Sequence, residues 1–343
     1  MPIECAILDD SILGALVLLI DLCMLAVNTK LTGKRFTPTK MKVFKFGGAS
    51  LKNASAAQHV ASIILSQPPQ ELLVVVSAMG KTTDLLERIL TLSHSKQAFD
   101  HTLSSLRKYH QEIIEALFDD PAAVLAAVEN EFTELERELA CPADQDQVYD
   151  QVVSKGELLS SLIIYHYLIS KDTACEWIDA RTCIGTDSSF REGKVDWART
   201  SANIQQLKPV LSNKIIITHG FIGRTEDGLT TTLGREGSDF TAAIFGSSLD
   251  AESVTIWKDV SGVMNADPRR FPNAVVFAEL PFKEAAEMTY YGASVIHPKT
   301  IKPLANKSIP LLVKSFVDLS LPGTKIHECT VENLPPLIVL KEN

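Results

Sequence analysis

The sequence Lys45-Phe46-Gly47-Gly48-Ala49-Ser50 is a strand end followed by a glycine turn, and it sets the class of fold. The pair Val43-Phe44 before it is typical of a buried strand. Two glycines let the backbone approach an anion, because no Cβ blocks it, and the amides of a following helix would add donors. Lys45 supplies a point charge suited to a phosphoryl group. The stretch therefore predicts a phosphate-binding turn, although a plain glycine turn beside a surface lysine would have the same composition.

Apolar strands alternate with helical segments along the rest of the chain. The run Leu72–Val76 is continuously apolar, which is typical of a central strand covered on both faces. Further strands are expected at 215–218, 253–257 and 310–313, and helices at 53–65, 146–169 and 240–249, with a helix-rich region at 85–139 interrupted only at Pro121. This alternation predicts an α/β fold with a mainly parallel sheet between helical layers.

Charge and cysteine content narrow the class of protein. The net charge of −9 argues against nucleic-acid binding, which rewards clustered Lys and Arg. The six cysteines show no CxxC pair and no metal-ligand spacing, so we expect reduced thiols and a cytoplasmic location.

The N-terminal 40 residues carry an apolar stretch at 12–27, which is shorter than the roughly 20 residues of a membrane span. Acidic residues precede it, unlike the basic start of a signal peptide. Met41 could be a natural start, so we interpret 1–40 as an extension foreign to the fold; a weak anchor is the alternative, and stable membrane insertion is not expected.

Polar residues follow the strand Leu72–Val76. Gly80-Lys81-Thr82 invites a P-loop interpretation, but that motif needs a glycine where Val75 stands. A polar loop at the carboxyl end of a central strand remains, which is where open α/β sheets tend to bind ligands. The alternative is an ordinary strand–helix connection with Thr82 or Thr83 as a helix N-cap.

Two later clusters have compatible chemistry. In Thr230-Thr231-Thr232-Leu233-Gly234-Arg235-Glu236-Gly237-Ser238-Asp239, Arg235 offers a planar fork for a carboxylate, while Ser238 and Asp239 could simply cap a helix. In the stretch from Trp257 to Arg269, Arg269 could meet a polyphosphate, or the Asp-Pro turn could lie on the surface with solvated charges.

The chain resembles the catalytic domain of aspartokinases, in the amino acid kinase family, over residues 41–326. The motifs that carry the resemblance are the Lys45–Ser50 stretch, Lys155-Gly156-Glu157-Leu158-Leu159-Ser160, the Thr230–Asp239 cluster, Trp257-Lys258-Asp259-Val260-Ser261-Gly262-Val263, Asn265-Ala266-Asp267-Pro268-Arg269 and Tyr291-Gly292-Ala293-Ser294-Val295-Ile296-His297-Pro298-Lys299. The resemblance implies a three-layer αβα sandwich with two lobes, an N-terminal lobe (41–220) for the amino acid and a C-terminal lobe (221–326) for ATP. Residues 327–343 would lead toward an ACT regulatory module absent from this chain, so the usual feedback inhibition is not expected.

The implied activity is phosphorylation of the side-chain carboxylate of L-aspartate by ATP with Mg²⁺, giving 4-phospho-L-aspartate on the route to lysine, threonine and methionine. Transfer of roles by motif gives catalytic residues Lys45 and Asp239, and substrate-binding residues Ser77, Thr83, Glu157, Arg235 and Ser238. It gives a nucleotide set of Lys45, Gly47, Gly48, Lys258, Asp259, Met264, Arg269, Ser294 and Val295. No side chain is assigned as a metal ligand.

The chain departs from the family pattern at four positions. Glu236 replaces a glycine of Gly-Arg-Gly-Gly-Ser-Asp, where an added carboxylate could repel an anionic substrate. Lys258 replaces a threonine, Met264 a tyrosine, and Ser294 a lysine, so the gain of Lys258 could conserve charge near the phosphates. Two alternatives stay open: a kinase for acetylglutamate or glutamate, and a non-catalytic nucleotide-binding or regulatory relative. The sequence leaves the oligomeric state open, with a homodimer as one candidate.

Overall fold

The computed structural model describes residues 41–67, 71–141, 143–290, 296–331 and 334–338, all within one compact unit. Its strands are β1 Lys42–Phe46, β2 Leu72–Val76, β3 Cys175–Ile178, β4 Ile215–His219, β5 Ile222–Arg224, β6 Thr230–Thr232, β7 Ser253–Lys258, β8 Glu279–Pro281, β9 Leu311–Ser315 and β10 Thr324–His327. Its α-helices are α1 Ala54–Leu65, α2 Thr82–His94, α3 Asp100–Leu117, α4 Ala122–Leu139, α5 Gln145–Val153, α6 Lys155–Ile169, α7 Ala180–Cys183, α8 Trp197–Gln205, α9 Lys208–Leu211, α10 Gly237–Ser248, α11 Phe282–Tyr290 and α12 Pro298–Ala305, and a 3₁₀ helix spans Gly48–Leu51.

Eight strands form one sheet in the order β3-β4-β2-β1-β7-β9-β10-β8. Neighbours are parallel except β9 and β10, which pair antiparallel. Strands β5 and β6 form a separate antiparallel pair. Since β1 lies between β2 and β7 in a parallel arrangement, the residues that follow all three strands meet at one edge of the sheet.

Both faces of the central sheet are buried. Alternate residues of β1 and β2 point to opposite faces, so Phe44, Phe46, Val74 and Val76 join one apolar core while Val43, Leu73 and Val75 join another. Helices α1 to α6 contribute to the first core, and α10 and α12 to the second. The predicted three-layer αβα sandwich with a mainly parallel sheet is confirmed.

Single elements match the sequence expectations to different degrees. The expected helix at 53–65 is α1, with Asn53 as N-cap accepting the N–H of Ala56 at 2.9 Å. The expected single helix at 146–169 is wrong, because it divides into α5 and α6 at Ser154. The hydroxyl of Ser154 donates to the carbonyl of Gln151 at 2.8 Å, a local bond that competes with regular helix.

The helix expected at 240–249 starts earlier, at Gly237. Its N-cap is therefore Glu236, and Ser238 and Asp239 lie in its first turn rather than at a cap. Helix α2 likewise begins at Thr82 with Lys81 as the capping residue, so neither threonine caps it. Trp257 and Phe282 are buried core residues, in agreement with their large apolar side chains.

Several expectations fall beyond the described residues: the N-terminal extension 1–40, Ser294 and Val295, and the end of the chain after residue 338. In the part that the structure describes, no helix combines the length and apolar character needed to cross a bilayer. The division into lobes at residue 220 stays a prediction.

Candidate active site

A cavity of about 540 Å³ opens at the carboxyl ends of β1, β2 and β7. Nine of the residues predicted from the sequence line it: Lys45, Gly48, Ser77, Thr83, Glu157, Arg235, Ser238, Asp239 and Lys258. The Lys45–Ser50 turn and the Thr230–Asp239 cluster therefore share one crevice with Lys258. A phosphoryl-transfer site requires such an arrangement.

The loops after β1 and β2 are packed backbone to backbone. The N–H of Ser77 donates to the carbonyl of Phe46 at 3.0 Å, and the N–H of Gly80 to that of Gly48 at 3.1 Å. A Cβ on Gly48 would lie 2.7 Å from the carbonyl oxygen of Ala78, so only glycine fits there. Gly48 is needed first for contact between two protein loops, whereas the sequence suggested contact with an anion.

Asp239 holds two lysines at the floor of the cavity. Its Oδ1 lies 2.5 Å from Nζ of Lys45, and its Oδ2 lies 3.3 Å from Nζ of Lys258. Asp239 is only 2% exposed; burial alone would raise its pKa, but the two ammonium groups outweigh burial and hold the pKa below its ordinary value. Asp239 stays ionised, and both lysines are kept together as a cationic pair.

Lys258 lies in the same cavity as Lys45. Its ammonium group lies beside Asp239, which also binds Lys45. Its predicted contribution of positive charge near the phosphates stays a prediction.

Glu157 presents a carboxylate with one unbonded oxygen. Its Oε1 accepts the N–H of Ala78 at 3.3 Å, while no described residue bonds to the buried Oε2. Burial raises the pKa of Glu157 to about 8, and the hydrogen bond from Ala78 and the charge of Lys45 lower it only partly. A bound cation such as an ammonium group would satisfy the free oxygen and favour the ionised form.

Arg235 and Glu236 line the same cavity as Glu157. Arg235 is exposed and makes no ion pair within the described residues. Glu236 has a left-handed backbone with φ of 53°, which explains why glycine is the usual residue in the family motif. Its Oε2 is buried without a described hydrogen-bond partner.

The remaining predicted residues lie elsewhere or contribute indirectly. Gly47 borders the cavity, since a Cβ there would lie 3.5 Å from Nζ of Lys45. Asp259, Met264 and Arg269 do not line the cavity; Met264 bridges to Val276, and Arg269 is an exposed side chain paired with Asp267 at 2.9 Å. Their role in nucleotide binding stays a prediction. His297 caps α12 by accepting the N–H of Lys299 at 3.2 Å, which is a structural role.

Sequence reasoning missed several residues that line the cavity or hold its walls. The lining includes Lys81, Asp84, Glu87, Tyr149, Arg191 and Phe221. Asp150, fully buried, accepts the N–H of Arg191 at 2.9 Å and the N–H and hydroxyl of Thr232, each at 2.8 Å. No sequence signal marked Asp150, because it lies in a mixed stretch from Val148 to Val153 where Gln151 is polar as well.

A model of the Amino acid kinase family matches residues 40–315. The chain belongs to this family. Lysine-sensitive aspartokinase 3 of Escherichia coli is 36% identical over 302 residues, which cover 87% of this chain and 66% of that protein. The bifunctional chloroplastic aspartokinase/homoserine dehydrogenase 2 of Arabidopsis thaliana is 34% identical over 83% of this chain and 32% of its own length.

Among solved structures, E. coli aspartokinase III in complex with aspartate and ADP superposes on this chain with a TM-score of 0.78. The two are 33% identical, and the match covers 85% of this chain and 65% of that chain. This chain thus spans about a third of the bifunctional relative and about two thirds of the E. coli enzyme.

Proposed function

We propose that this chain is an aspartate kinase that transfers the γ-phosphoryl group of ATP to the side-chain carboxylate of L-aspartate, the first step toward lysine, threonine and methionine. The observation that carries the proposal is the shared cavity in which Lys45, Asp239 and Lys258 lie with Glu157 and Arg235. The solved E. coli relative, described in complex with aspartate and ADP, supports the same pair of ligands.

Charge neutralisation is the main chemical task. The nucleophile is a carboxylate with an ordinary pKa of about 3.9, so it is ionised at neutral pH and needs no general base. Its oxygen approaches phosphates that are themselves anionic. Lys45 and Lys258, fixed by one buried carboxylate, place two positive charges where the transferred group would pass.

Glu157 and Arg235 would orient the substrate. The free Oε2 of Glu157 would accept the substrate ammonium group, and Arg235 would hold its α-carboxylate through two parallel hydrogen bonds. With both ends fixed, the side-chain carboxylate points toward the two lysines.

Mg²⁺ accompanies the nucleotide in this proposal. This ion typically binds through one or two carboxylates together with phosphate oxygens and water. Asp239 is the buried carboxylate that would orient either the lysines or the hydration shell of the ion. The ion would supply further positive charge to the phosphate oxygens.

The test is ADP release by the purified full chain with ATP, Mg²⁺ and one acceptor: L-aspartate, L-glutamate or N-acetylglutamate. We expect turnover with L-aspartate at least about tenfold more efficient than with the other two, since a misplaced carboxylate loses its hydrogen bonds. Preference for glutamate or acetylglutamate would assign a different kinase. Nucleotide binding without turnover on any acceptor would favour a non-catalytic relative.

A further inference from the structure

Three non-glycine residues with left-handed backbone line the candidate active site. Arg191, Phe221 and Glu236 have φ of 65°, 71° and 53°, and they are three of seven such residues in the described part of the chain. Each conformation costs about 1–2 kcal/mol for a residue with a side chain. A strained backbone persists only where its surroundings hold it in place, and such residues are common at functional sites. Arg191 is one of these residues, although no sequence motif indicated it.

The backbone of Arg191 is fixed by the carboxylate that also fixes the Arg235 segment. Oδ2 of buried Asp150 accepts both the N–H of Arg191 at 2.9 Å and the N–H of Thr232 at 2.8 Å. Thr232 lies three residues before Arg235. In addition, a Cβ on Gly234 would lie 3.4 Å from the carbonyl oxygen of Arg191, so the two segments touch. The two arginines therefore stand on adjoining segments.

Two contacts orient the side chain of Arg191. Its guanidinium lies 4.0 Å from the ring centroid of Tyr149, and its Nε contacts Asp146. Tyr149 is itself anchored, because its hydroxyl donates to Glu87 at 2.6 Å. Because Nε of Arg191 contacts Asp146, the two terminal nitrogens of the guanidinium remain available to bind a carboxylate. Half of the side chain is exposed, so a ligand can reach it.

Acidic side chains share the cavity with Arg191. The described lining contains five carboxyl groups, among them Glu157 and Glu236, each with an unbonded buried oxygen. An anionic amino acid would need cations among these groups, and the exposed guanidinium of Arg191 is one cation of the lining.

We propose that Arg191 is a second guanidinium of the amino-acid subsite, which shares the α-carboxylate of the substrate with Arg235 and offsets Glu236. This inference rests on the proposed function and adds a specificity-determining residue to it. Asp150 is a positioning residue, since it sets the separation of the two arginine-bearing segments.

The experiment compares Arg191→Gly with Asp172→Gly. Glycine suits the left-handed backbone at both positions, so neither variant should lose thermal stability; Asp172, with φ of 54°, is exposed and does not line the cavity. We expect R191G to raise the KM for L-aspartate about tenfold or more, the typical effect of losing a charged hydrogen bond, with the KM for ATP within about twofold. D172G should match the wild type in both constants.

A second measurement separates a ligand contact from a structural effect. The α-amide of L-aspartate lacks the carboxylate that Arg191 would hold, so its disadvantage relative to L-aspartate should shrink about tenfold in R191G. Arg191→Lys, which keeps the charge and loses the fork, should fall between R191G and the wild type. An unchanged KM for aspartate in R191G, or unchanged discrimination against the amide, would overturn the role of Arg191 alone. A wild-type chain that does not phosphorylate aspartate would overturn the proposed function as well.

Discussion

The two sides of the cavity are built in different ways. On the proposed amino-acid side, buried carboxylates hold the backbone: Glu157 binds Ala78, and Asp150 binds Arg191 and Thr232. On the side after β7, the loop that bears Met264 and Arg269 lies outside the cavity, and Arg269 is paired with Asp267 in solvent. The first side is therefore held by internal hydrogen bonds without a ligand, whereas nucleotide contacts of the second side stay a prediction.

Lys45 lies between the two sides, and its loss should have the largest effect. We expect Lys45→Ala to lower kcat by about three orders of magnitude or more, because it removes a fixed charge from the reacting group. Lys258 keeps Asp239 paired, so thermal unfolding should show only a modest loss of stability. Lys52→Ala, at an exposed position outside the cavity, is the matched control and should keep the wild-type kcat. Near-normal turnover of K45A would remove Lys45 from the mechanism.

Glu157 should make aspartate binding depend on pH. Its pKa of about 8 means that most of the free protein carries a neutral Glu157 at pH 7, and an ammonium ligand needs the ionised form. The value of kcat/KM for aspartate should rise several-fold between pH 7 and pH 8.5. Glu157→Gln should abolish this rise and lower kcat/KM about 100-fold. A wild-type profile that is flat over this range would show that the ammonium group binds elsewhere.

The same raised pKa has an opposite effect on stability. The folded state keeps the proton that the unfolded chain loses near its ordinary pKa of 4.5, so this contribution is complete below pH 4.5. It is lost as the pH rises to about 8. Thermal unfolding of the substrate-free wild type should therefore lose stability over this range relative to E157Q, and saturating aspartate should reduce the difference. Parallel pH dependence in both proteins would contradict the assignment.

Arg269 tests the less organised side. If its loop contacts nucleotide when ATP binds, Arg269→Ala should raise the KM for ATP about threefold to tenfold and leave the KM for aspartate unchanged. Thermal stability should not change, because an exposed ion pair contributes little. Lys283→Ala, at an exposed site away from the cavity, is a suitable control. An unaltered KM for ATP would place Arg269 among the solvated surface charges that its sequence also allowed.

Glu236 should give the smallest effect. Glu236→Gly relieves the left-handed backbone, and we expect the free energy of unfolding to rise by up to about 1 kcal/mol, measured with urea. Glu236→Ala removes the carboxylate but keeps the unfavourable backbone, so it should not gain this stability. Both variants should lower the KM for aspartate about twofold if the carboxylate repels the substrate. Equal stability of the glycine and alanine variants would show that the backbone carries no such cost.

The sequence was sufficient to predict those residues of the cavity that lie at the ends of sheet strands. Lys45, Ser77 and Lys258 lie at or just after strand ends, and parallel strands bring these ends together wherever the apolar runs are recognised. It could not predict Asp150 or Arg191, because their roles depend on contacts between segments 41 and 82 residues apart. Nor did it locate the start of α10, since Glu236 adopts a backbone conformation that is rare for its residue type.

The division of the expected helix at Ser154 had a similar origin. Its apolar pattern continued through the break, and local propensity gave no stop. The break lies between Asp150, which accepts a hydrogen bond from β6, and Glu157, which accepts one from the loop after β2. The carboxylates on either side of Ser154 thus bind different segments, while the local bond of the Ser154 hydroxyl to Gln151 interrupts the helix between them.

Ligands reach the cavity across the long-range field of a chain whose net charge is −9. The two substrates proposed are both anions, so they encounter repulsion before they touch any cation of the lining. Counter-ions confine that repulsion to roughly 8 Å at physiological ionic strength. Association should therefore quicken as salt is added to a dilute buffer, whereas a site approached across a basic surface would slow.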